Sequence, residues 1–485
     1  MAQTFGQKLL RTKPVTKAAE EGDHGDHGGA ALGRTLGLFP LTMIGVGATI
    51  GTGIFFTMAE AVPKAGPSVI LSFLIAAIAA GLTALCYAEL AFRIPASGSS
   101  YSFAYASVGE FAAFIMAACL LLEYGLAGSA TAIGWSDYLN NFLTNAFHWQ
   151  IPEALRSPMI VQTPDGGAEF HFGHFNLPPV LLVTLCGFLL IRGTKESATT
   201  NAIMVMIKLC ILVFFSAIAY SGFDQKNLMP FFSPGDGHSA MGGVAAAAGT
   251  VFFSFIGLDT VATAGEEVKN PRRNVPLGII GALLIVTVFY MLVAVAAVGA
   301  QPAALFKGQE AGLSVILQNV TGKVWPALIL SAGAVISVFS VTLVTIYGQT
   351  RILYAISKDG LMPKFFQTVN SRTRTPVHNT VVVCIVIALV AALVDSNFLW
   401  DMVSMGTLTA FMVVSVAVPV MRKKDPDAPQ GFRVPFGPLV PILSILACLI
   451  IMAGLSGMTY AVFSIWMVVA LAIYFTYGLR NSKLN

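Results

Sequence analysis

The sequence predicts an all-α polytopic membrane protein, and three observations support this fold class. Of the 485 residues, 56% are hydrophobic and 11% are charged, whereas a soluble domain has roughly 25% charged residues. Apolar runs of about twenty residues recur along the chain, which is the length that an α-helix needs to cross a bilayer. The basic residues also concentrate in alternate connections between these runs, as the positive-inside rule requires.

The apolar runs predict about twelve transmembrane helices. They lie near residues 36–58, 68–92, 109–139, 177–192, 196–221, 241–264, 275–299, 325–354, 378–395, 398–421, 438–456 and 459–480. We expect these helices to form a single membrane domain over residues 35–482. The polar residues 1–34 before it are predicted to be a disordered cytoplasmic tail, because they contain too few apolar residues to build a core.

The distribution of basic residues predicts the orientation of the chain. With the N-terminus in the cytoplasm, 22 of the 28 Lys and Arg residues fall in cytoplasmic segments and five fall on the opposite side. This bias places both termini in the cytoplasm. We therefore expect a multi-pass protein of the plasma (inner) membrane. The remaining basic residue, Lys208, falls in the middle of the fifth predicted helix.

The first predicted helix contains four glycines within nine residues, at Gly45, Gly47, Gly51 and Gly53. Each glycine costs a helix interior about 1 kcal/mol relative to alanine, so this helix is expected to break. Non-helical backbone survives within a membrane only where it contacts protein or lines a polar cavity. The glycines therefore indicate an unwound ligand site. The alternative is that they serve only close packing between helices.

A second interruption is predicted in the sixth helix, around Gly257 in the stretch from Val251 to Thr260. Breaks in helices one and six suggest two repeats of five helices each. An odd number of helices per repeat forces the repeats into opposite membrane orientations, so we expect an inverted repeat. Paired glycine-interrupted helices in corresponding halves indicate a transporter's substrate site near the membrane midplane.

The two breaks offer binding groups for opposite charges. Unpaired N–H groups at the start of a half-helix favour an anion, and unpaired carbonyls at the end of one favour a cation. Gly51 and Gly53 would let a carboxylate approach backbone N–H groups, and the Thr52 hydroxyl could add a donor. Carbonyls near Thr49 and Ile256 could accept an ammonium group. The breaks together therefore suit a zwitterionic amino acid.

Three ionisable residues are predicted at membrane depth: Glu123 in helix three, Lys208 in helix five and Asp259 in helix six. Such residues cost about 2.5–3.5 kcal/mol on insertion scales and are functional candidates by default. Burial penalises the charged form of Lys208, so its amine is a candidate to gain and lose a proton. The alternative is a permanent ion pair with a carboxylate such as Glu123. Asp259 follows the second break and could hold its hinge.

Four motifs closely resemble signatures of the amino acid–polyamine–organocation superfamily. They are Gly-Val-Gly-Ala-Thr-Ile-Gly-Thr-Gly-Ile-Phe at 45–55, Phe-Phe-Ser-Phe-Ile-Gly-Leu-Asp-Thr-Val-Ala at 252–262, Glu-Glu-Val-Lys-Asn-Pro-Arg-Arg-Asn-Val-Pro at 266–276 and Tyr-Gly-Gln-Thr-Arg-Ile-Leu-Tyr-Ala-Ile-Ser-Lys-Asp-Gly at 347–360. The similarity covers roughly residues 35–480. Within the superfamily, the chain looks most similar to the cationic amino acid transporter family and its bacterial members.

This resemblance implies two inverted five-helix repeats with broken helices one and six, followed by two extra helices. The substrate-binding residues that it implies are Thr49, Ile50, Gly51, Thr52, Gly53, Phe253, Ile256 and Val338. In the family, the break of helix one binds the substrate carboxylate, and carbonyls of helices one and six bind the amine. The resemblance makes Phe253 an aromatic gate and places Val338 in the pocket wall of helix eight.

The resemblance also implies residues for coupling and for movement. Lys208 occupies the place where sodium-coupled relatives bind sodium, which implies proton coupling. Glu123 resembles a glutamate of helix three that communicates with this lysine. Gly47, Gly257 and Asp259 would then be hinge or gating residues.

The sequence thus predicts a secondary active transporter that moves cationic or broad-range amino acids by alternating access, with proton coupling. An exchanger of amino acids against polyamines or decarboxylation products is one alternative, and a non-transporting amino acid sensor is the other. The expected partners are the amino acid or polyamine, the proton and the lipid bilayer. We expect no enzyme activity, cofactor, metal or nucleic-acid partner, because no nucleophile–base pair, ligand cluster or phosphate-binding loop is visible.

Overall fold

The computed structural model describes residues 8–13, 36–94, 99–162, 168–192, 198–232, 239–263, 268–309, 311–370, 375–426 and 431–484 of the chain. Most of the predicted tail over residues 1–34 lies outside these ranges. Glu266 and Glu267 at the start of the third motif also lie outside them.

The described chain folds almost entirely into α-helices, as predicted. The helices are α1 (Leu38–Thr49), α2 (Thr52–Ala65), α3 (Val69–Arg93), α4 (Ser99–Ser107), α5 (Glu110–Phe147), α6 (Leu177–Arg192), α7 (Ala198–Ser221), α8 (Ala240–Phe252), α9 (Thr260–Thr263), α10 (Pro271–Ala300), α11 (Gly312–Thr321), α12 (Val324–Lys358), α13 (Val377–Leu393), α14 (Ser396–Lys424), α15 (Leu439–Ala453) and α16 (Gly457–Ile473).

Within the described residues, eight helical stretches are long and apolar enough to cross a membrane, and α1, α6, α13 and α15 are shorter apolar helices at predicted positions. The chain is therefore an all-α, multi-pass membrane protein. The count of twelve crossings and the inverted repeat stay predictions.

Both predicted helix breaks are present. The first lies between α1 and α2, where Ile50 has a ψ angle of 83° and Gly51 precedes the new helix. At the second, α8 passes into a single 3-10 turn over Phe253–Phe255 before the chain restarts as α9. Gly257 in this break has a φ angle of +99°, which glycine adopts freely because it has no Cβ atom.

Helices α4 and α11, a single helical turn over Glu153–Arg156 and a β-hairpin lie outside the predicted membrane helices. α4 and α11 have nine and ten residues, so they are shorter than the apolar run of about twenty residues on which the prediction depends. Strands β1 (Ile160–Gln162) and β2 (Ala168–Phe170) pair antiparallel in the connection between α5 and α6. Ile160 also bridges to Val394, which holds the hairpin against the connection between α13 and α14.

The two longest helices form the centre of the bundle. α5 and α12 have 38 and 35 residues and pack along each other. α10 packs against α1 and α3, while α7 lies against α1 and α10. Because α12 also contacts α1 and α5 also contacts α2, the first break is surrounded by long helices that can supply side chains to it.

A buried ion pair fixes the described part of the N-terminal segment to the bundle. Glu110, the first residue of α5, is fully buried, and Arg11 donates to its two carboxylate oxygens at 2.7 and 2.8 Å. The hydroxyl groups of Tyr105, Tyr474 and Ser482 donate to the same carboxylate. One carboxylate therefore joins the N-terminal segment, α4, α5 and the C-terminal end of the chain.

This cluster includes Arg11, which belongs to the predicted tail. Residues 8–13 pack against the bundle, because the buried Glu110 carboxylate is stabilised by a cation. Lys13 in the same segment pairs with Asp359 at the end of α12 at 3.2 Å. Both ends of the described chain therefore meet at one face of the bundle.

We expect Arg11→Met to lower the midpoint of thermal unfolding in detergent, because it removes the cation that binds Glu110. Breaking a buried pair from one side typically costs about 3–5 kcal/mol. Arg93→Met is the matched control, because Glu89 binds Arg422 at 2.6 Å as well as Arg93 at 3.4 Å and keeps a cation. An equal decrease in the two variants would contradict this account of the cluster.

Candidate substrate site between the broken helices

The two breaks pack directly against each other. A Cβ atom added at Gly53 would lie 2.6 Å from the Cα atom of Ser254, and one added at Gly257 would lie 2.8 Å from the carbonyl oxygen of Ala48. Both distances are well below the 3.5–4.0 Å of favourable contact between carbon atoms. These two glycines therefore allow the two broken helices to pack closely. Close packing was the alternative explanation for the glycines of the first helix, and it occurs at the breaks themselves.

The half-helices are also joined in pairs away from the breaks. Leu36 and Val268 form a parallel bridge, in which the Lys269 N–H donates to the Leu36 carbonyl at 2.8 Å. On the other side of the breaks, α2 packs against α8, and Lys64 Nζ donates to Thr250 Oγ1 at 2.8 Å. The segment before α1 is thus bonded to the segment after α9, and α2 is bonded to α8.

A cavity lies between the breaks. Its volume of about 50 Å³ can hold only a few water molecules, at roughly 10–15 Å³ each. The residues that line it are Ala48, Thr49, Gly51, Gly53, Glu123, Tyr124, Ala127, Thr131, Phe253, Ile256, Gly257, Thr260, Val341, Val344 and Thr345. The structure thus brings seven of the thirteen predicted site residues together around one space. This cavity is the candidate substrate site, and a ligand as large as an amino acid requires its walls to move apart.

Backbone hydrogen-bond donors and acceptors both lie at the cavity. Gly51 precedes the first turn of α2, whose N–H groups have no partner within the helix and favour an anion. Thr49 ends α1, and its carbonyl accepts the Gly51 N–H at 2.8 Å and lies 2.8 Å from the hydroxyl group of Tyr290 in α10. Ile256 lines the cavity where the chain leaves the 3-10 turn after α8. The arrangement can therefore bind a carboxylate and an ammonium group side by side.

Side chains of α5 and α12 complete the wall. Ala127 and Thr131 lie one turn apart on α5, and Val341, Val344 and Thr345 lie on the facing side of α12. This part of the wall is mainly apolar, with two hydroxyl groups. It surrounds the side of the cavity that the backbone groups of the breaks leave open.

Two predicted residues lie beside the cavity and not on it. Val338 is fully buried one helical turn before the lining residue Val341; counting back along a helix from a motif does not fix which turn reaches the pocket. Ile50 is fully buried at the end of α1. For Thr52 the structure describes the backbone, which begins α2.

Phe253 separates the cavity from a cluster of aromatic rings. It meets Trp400 edge to face with ring centroids 4.3 Å apart, and Trp400 stacks on Phe56 at 5.9 Å. The neighbouring Phe255 packs instead against Tyr290 at 5.2 Å. Of the two phenylalanines beside the break, Phe253 is therefore the one placed to act as a gate.

Two of the three predicted ionisable residues meet at the cavity. Glu123 lines it and is 2% exposed, and Asp259 lies close enough to interact with Glu123 electrostatically. Tyr124 donates a hydrogen bond to Asp259 Oδ2 at 3.0 Å. This bond ties α5 to the residue that immediately precedes α9.

Lys208 lies behind the first break. Its ammonium group donates to the carbonyl of Gly47 at 3.2 Å, and its side chain is 1% exposed. Gly47 belongs to the last turn of α1, where the carbonyls form the negative end of the helix dipole. The amine of α7 therefore contacts the same half-helix whose last carbonyl, that of Thr49, faces the cavity.

The sequence did not predict the wall residues Ala127, Thr131 and Val341, nor Tyr290 of α10. Its hydroxyl group lies within hydrogen-bond distance of the carbonyl oxygens of Thr49, at 2.8 Å, and Ser254, at 2.6 Å. The signal that could have identified it is a hydroxyl group in an otherwise apolar run, because a buried tyrosine hydroxyl usually needs a hydrogen-bond partner.

A comparison of the sequence with family profiles identifies the fold's relatives. The profile of a family described as amino acid permease matches residues 36–478, a range that contains every helix from α1 to α16. The chain belongs to the amino acid permease family. The predicted membership in the amino acid–polyamine–organocation superfamily is therefore confirmed.

The permease also aligns with curated proteins along most of its length. It is 41% identical over 458 residues to the branched-chain amino acid permease BcaP of Bacillus subtilis (strain 168), covering 94% of this chain and 96% of the relative. It is 40% identical over 479 residues to the methylthioribose transporter of the same organism, covering 98% and 99%. The identity to the vacuolar cationic amino acid transporter 4 of Arabidopsis thaliana is 35% over 432 residues, covering 86% and 68%. The names of these relatives agree on transport and differ in the substrate.

We expect Gly53→Ala to weaken amino acid binding to the permease by about tenfold or more, because overpacking of this kind costs about 1–3 kcal/mol and separates the breaks. The measurement is the stabilisation against thermal unfolding that increasing amino acid concentrations produce. Gly51→Ala should have a smaller effect, because its added Cβ would meet only the Val341 side chain, at 3.0 Å.

Gly457→Ala at the start of α16 is the matched control, because nothing lies within 4 Å of the added Cβ atom. Binding by the Gly53→Ala variant with the affinity of the unmodified permease would show that close contact of the breaks is not needed for the site.

Proposed function

We propose that this permease is a secondary active transporter that moves amino acids across the plasma membrane by alternating access, coupled to protons, with both termini in the cytoplasm. The observation that carries the proposal is the cavity between the breaks, where the start of α2 and the end of α1 offer N–H groups and carbonyls to one ligand. An α-amino acid presents a carboxylate and an ammonium group at that spacing.

Lys208 supports the proton coupling. A protonated amine makes a charge-assisted hydrogen bond to the Gly47 carbonyl, and such bonds are roughly twice as strong as neutral ones. Loss of the proton therefore weakens the contact between α7 and α1. Because α1 carries the Thr49 carbonyl at the cavity, the protonation of Lys208 and the occupancy of the site act on the same half-helix.

The wall of the cavity supports a broad substrate range. Ala127, Val341 and Val344 suit aliphatic side chains, while Glu123 at the same cavity offers a carboxylate to a cationic one. The names of the relatives BcaP and cationic amino acid transporter 4 fit these two classes in turn. We therefore propose that both neutral aliphatic and cationic amino acids are substrates.

A second candidate substrate is a thiosugar. The relative named methylthioribose transporter is nearly as similar to this chain as BcaP is. A thiosugar lacks the carboxylate and ammonium groups that the backbone of the two breaks suits. A thermal-shift screen with leucine, arginine, putrescine and methylthioribose separates these candidates, since only a bound ligand raises the unfolding temperature.

We expect Lys208→Ala to abolish proton-driven accumulation of leucine and arginine in proteoliposomes. A pH difference of one unit drives about tenfold accumulation for one proton per substrate, since a tenfold ratio corresponds to about 1.4 kcal/mol. Lys208→Arg should also abolish it while keeping the cation at Gly47, because a guanidinium group does not release its proton in proteins. The measurement is uptake of radiolabelled substrate with and without the pH gradient.

Lys226→Ala is the matched control, because Lys226 is exposed in the turn after α7. Counterflow with unlabelled amino acid or polyamine inside the vesicles tests for exchange in the same preparation. Undiminished accumulation by both Lys208 variants would refute coupling through this residue.

We expect Glu123→Gln to lower the proton-driven accumulation of leucine and arginine alike. Glutamine has nearly the same shape as glutamate but cannot gain or lose a proton, so the variant removes the titratable group beside Asp259. The same uptake assay measures the effect, with Glu169→Gln in the exposed β-hairpin as the control. A loss confined to arginine would instead assign Glu123 to recognition of the substrate side chain.

A further inference from the structure

The hydroxyl group of Tyr290 connects the two breaks. It lies 2.8 Å from the carbonyl oxygen of Thr49 and 2.6 Å from that of Ser254. The tyrosine is fully buried, and its ring packs edge to face against Phe255, at 5.2 Å, and Phe73, at 6.1 Å. The position of the hydroxyl is thus fixed by packing that does not involve the hydroxyl itself.

The two carbonyls belong to the ends of two half-helices. Thr49 is the last residue of α1, and Ser254 lies in the 3-10 turn that ends α8. Carbonyls at such ends lack partners within their own helix and carry partial negative charge. Two oxygens of this kind that approach one point repel each other unless a donor lies between them. Tyr290 provides that donor.

One hydroxyl group cannot satisfy two carbonyls at the same time, because it has a single proton to donate. When the proton is directed to Ser254, the Thr49 carbonyl keeps the Gly51 N–H as a donor and has acceptor capacity left. Thr49 lines the cavity, so this capacity faces the place where a ligand cation would lie.

We propose that Tyr290 is a positioning residue for substrate binding: it holds the Thr49 carbonyl where the substrate ammonium group reaches it and turns its proton to the Ser254 carbonyl when that group arrives. This inference rests on the proposed function. It assigns to α10 a part in ammonium recognition without direct contact with the substrate.

The same hydroxyl links half-helices that otherwise belong to different pairs. The segment before α1 is bonded to the segment after α9 through Leu36 and Val268, and α2 packs against α8. Tyr290 joins the end of α1 to the end of α8, across these pairs. An ammonium group at Thr49 therefore changes a hydrogen bond that connects the two pairs.

The test is Tyr290→Phe, which keeps the ring and its packing and removes only the hydroxyl group. We expect the Kd and the KM for leucine to rise about threefold to tenfold, the range for one hydrogen bond. The maximal rate of exchange at saturating leucine should remain within twofold of that of the unmodified permease.

Tyr138→Phe is the matched control. The Tyr138 hydroxyl is also fully buried and also donates to a carbonyl next to the first break, that of Phe55 in α2, at 2.8 Å, but neither residue lines the cavity. A purely structural role for tyrosine hydroxyls predicts similar changes in both variants. The positioning role predicts an increased Kd for Tyr290→Phe alone.

Three results would overturn the inference: an unchanged Kd for Tyr290→Phe, an equal increase for Tyr138→Phe, or a reduced maximal rate with an unchanged Kd. The unmodified permease is measured first. If the unmodified permease binds no amino acid, the proposed function is wrong, and the inference about Tyr290 fails for that reason. If it binds amino acids, the variants test the inference alone.

A variant that does not fold still leaves a test. If Tyr290→Phe does not give a monodisperse protein, 3-fluorotyrosine is incorporated at position 290 or at position 138 instead. It keeps the ring and makes the hydroxyl a stronger donor. A Kd for leucine that changes at least twofold for position 290 and stays constant for position 138 supports the inference, and a constant Kd at both positions contradicts it.

Discussion

The hydrogen-bonding requirement of backbone groups within a membrane governs this structure. Interrupting a helix frees N–H and carbonyl groups, and a bilayer has no water to bind them. The permease breaks two helices at the same place and packs the breaks together, with Gly53 against Ser254 and Gly257 against Ala48. Tyr290 then lies between two of the freed carbonyls. The other backbone N–H and carbonyl groups that the breaks free face a small cavity. These groups give the site its capacity to bind a ligand.

The same packing indicates how such a site can change access. Contacts at the outer ends join α1 to the segment after α9 and α2 to α8. These contacts divide the two broken helices into two pairs, one on each side of the cavity. Movement of one pair against the long helices α5 and α12 would open the cavity to one face of the bundle only. The small volume of the cavity fits this division, because a ligand of the size of an amino acid needs one of the pairs to move outward.

The positions of the breaks could be predicted from the sequence, because glycines within an apolar run are visible there directly. The sequence also identified Lys208, Glu123 and Asp259, since a charge within a hydrophobic helix is equally visible. It did not identify the contact of Tyr290 with Thr49, which are 241 positions apart, nor that of Arg11 with Glu110, which are 99 apart. Such contacts depend on how each helix is rotated against its neighbours. The difference between Val338 and Val341 has the same origin, because both residues are equally apolar and only the packing of α12 decides which one reaches the cavity.

The buried charges divide into two groups with different surroundings. Glu110 and Glu89 each bind an arginine with two short hydrogen bonds and accept further donors. Neutralising either carboxylate would weaken several of these hydrogen bonds at once. These two carboxylates are therefore suited to stabilising the fold. Glu123 lies at the cavity, and Lys208 contacts a backbone carbonyl of a half-helix. A carbonyl accepts hydrogen bonds from a neutral amine as well as from an ammonium group, so loss of the Lys208 proton would weaken its contact with Gly47 without removing it. This contact with a backbone carbonyl fits the proposed change of protonation at Lys208, which lies beside the first break.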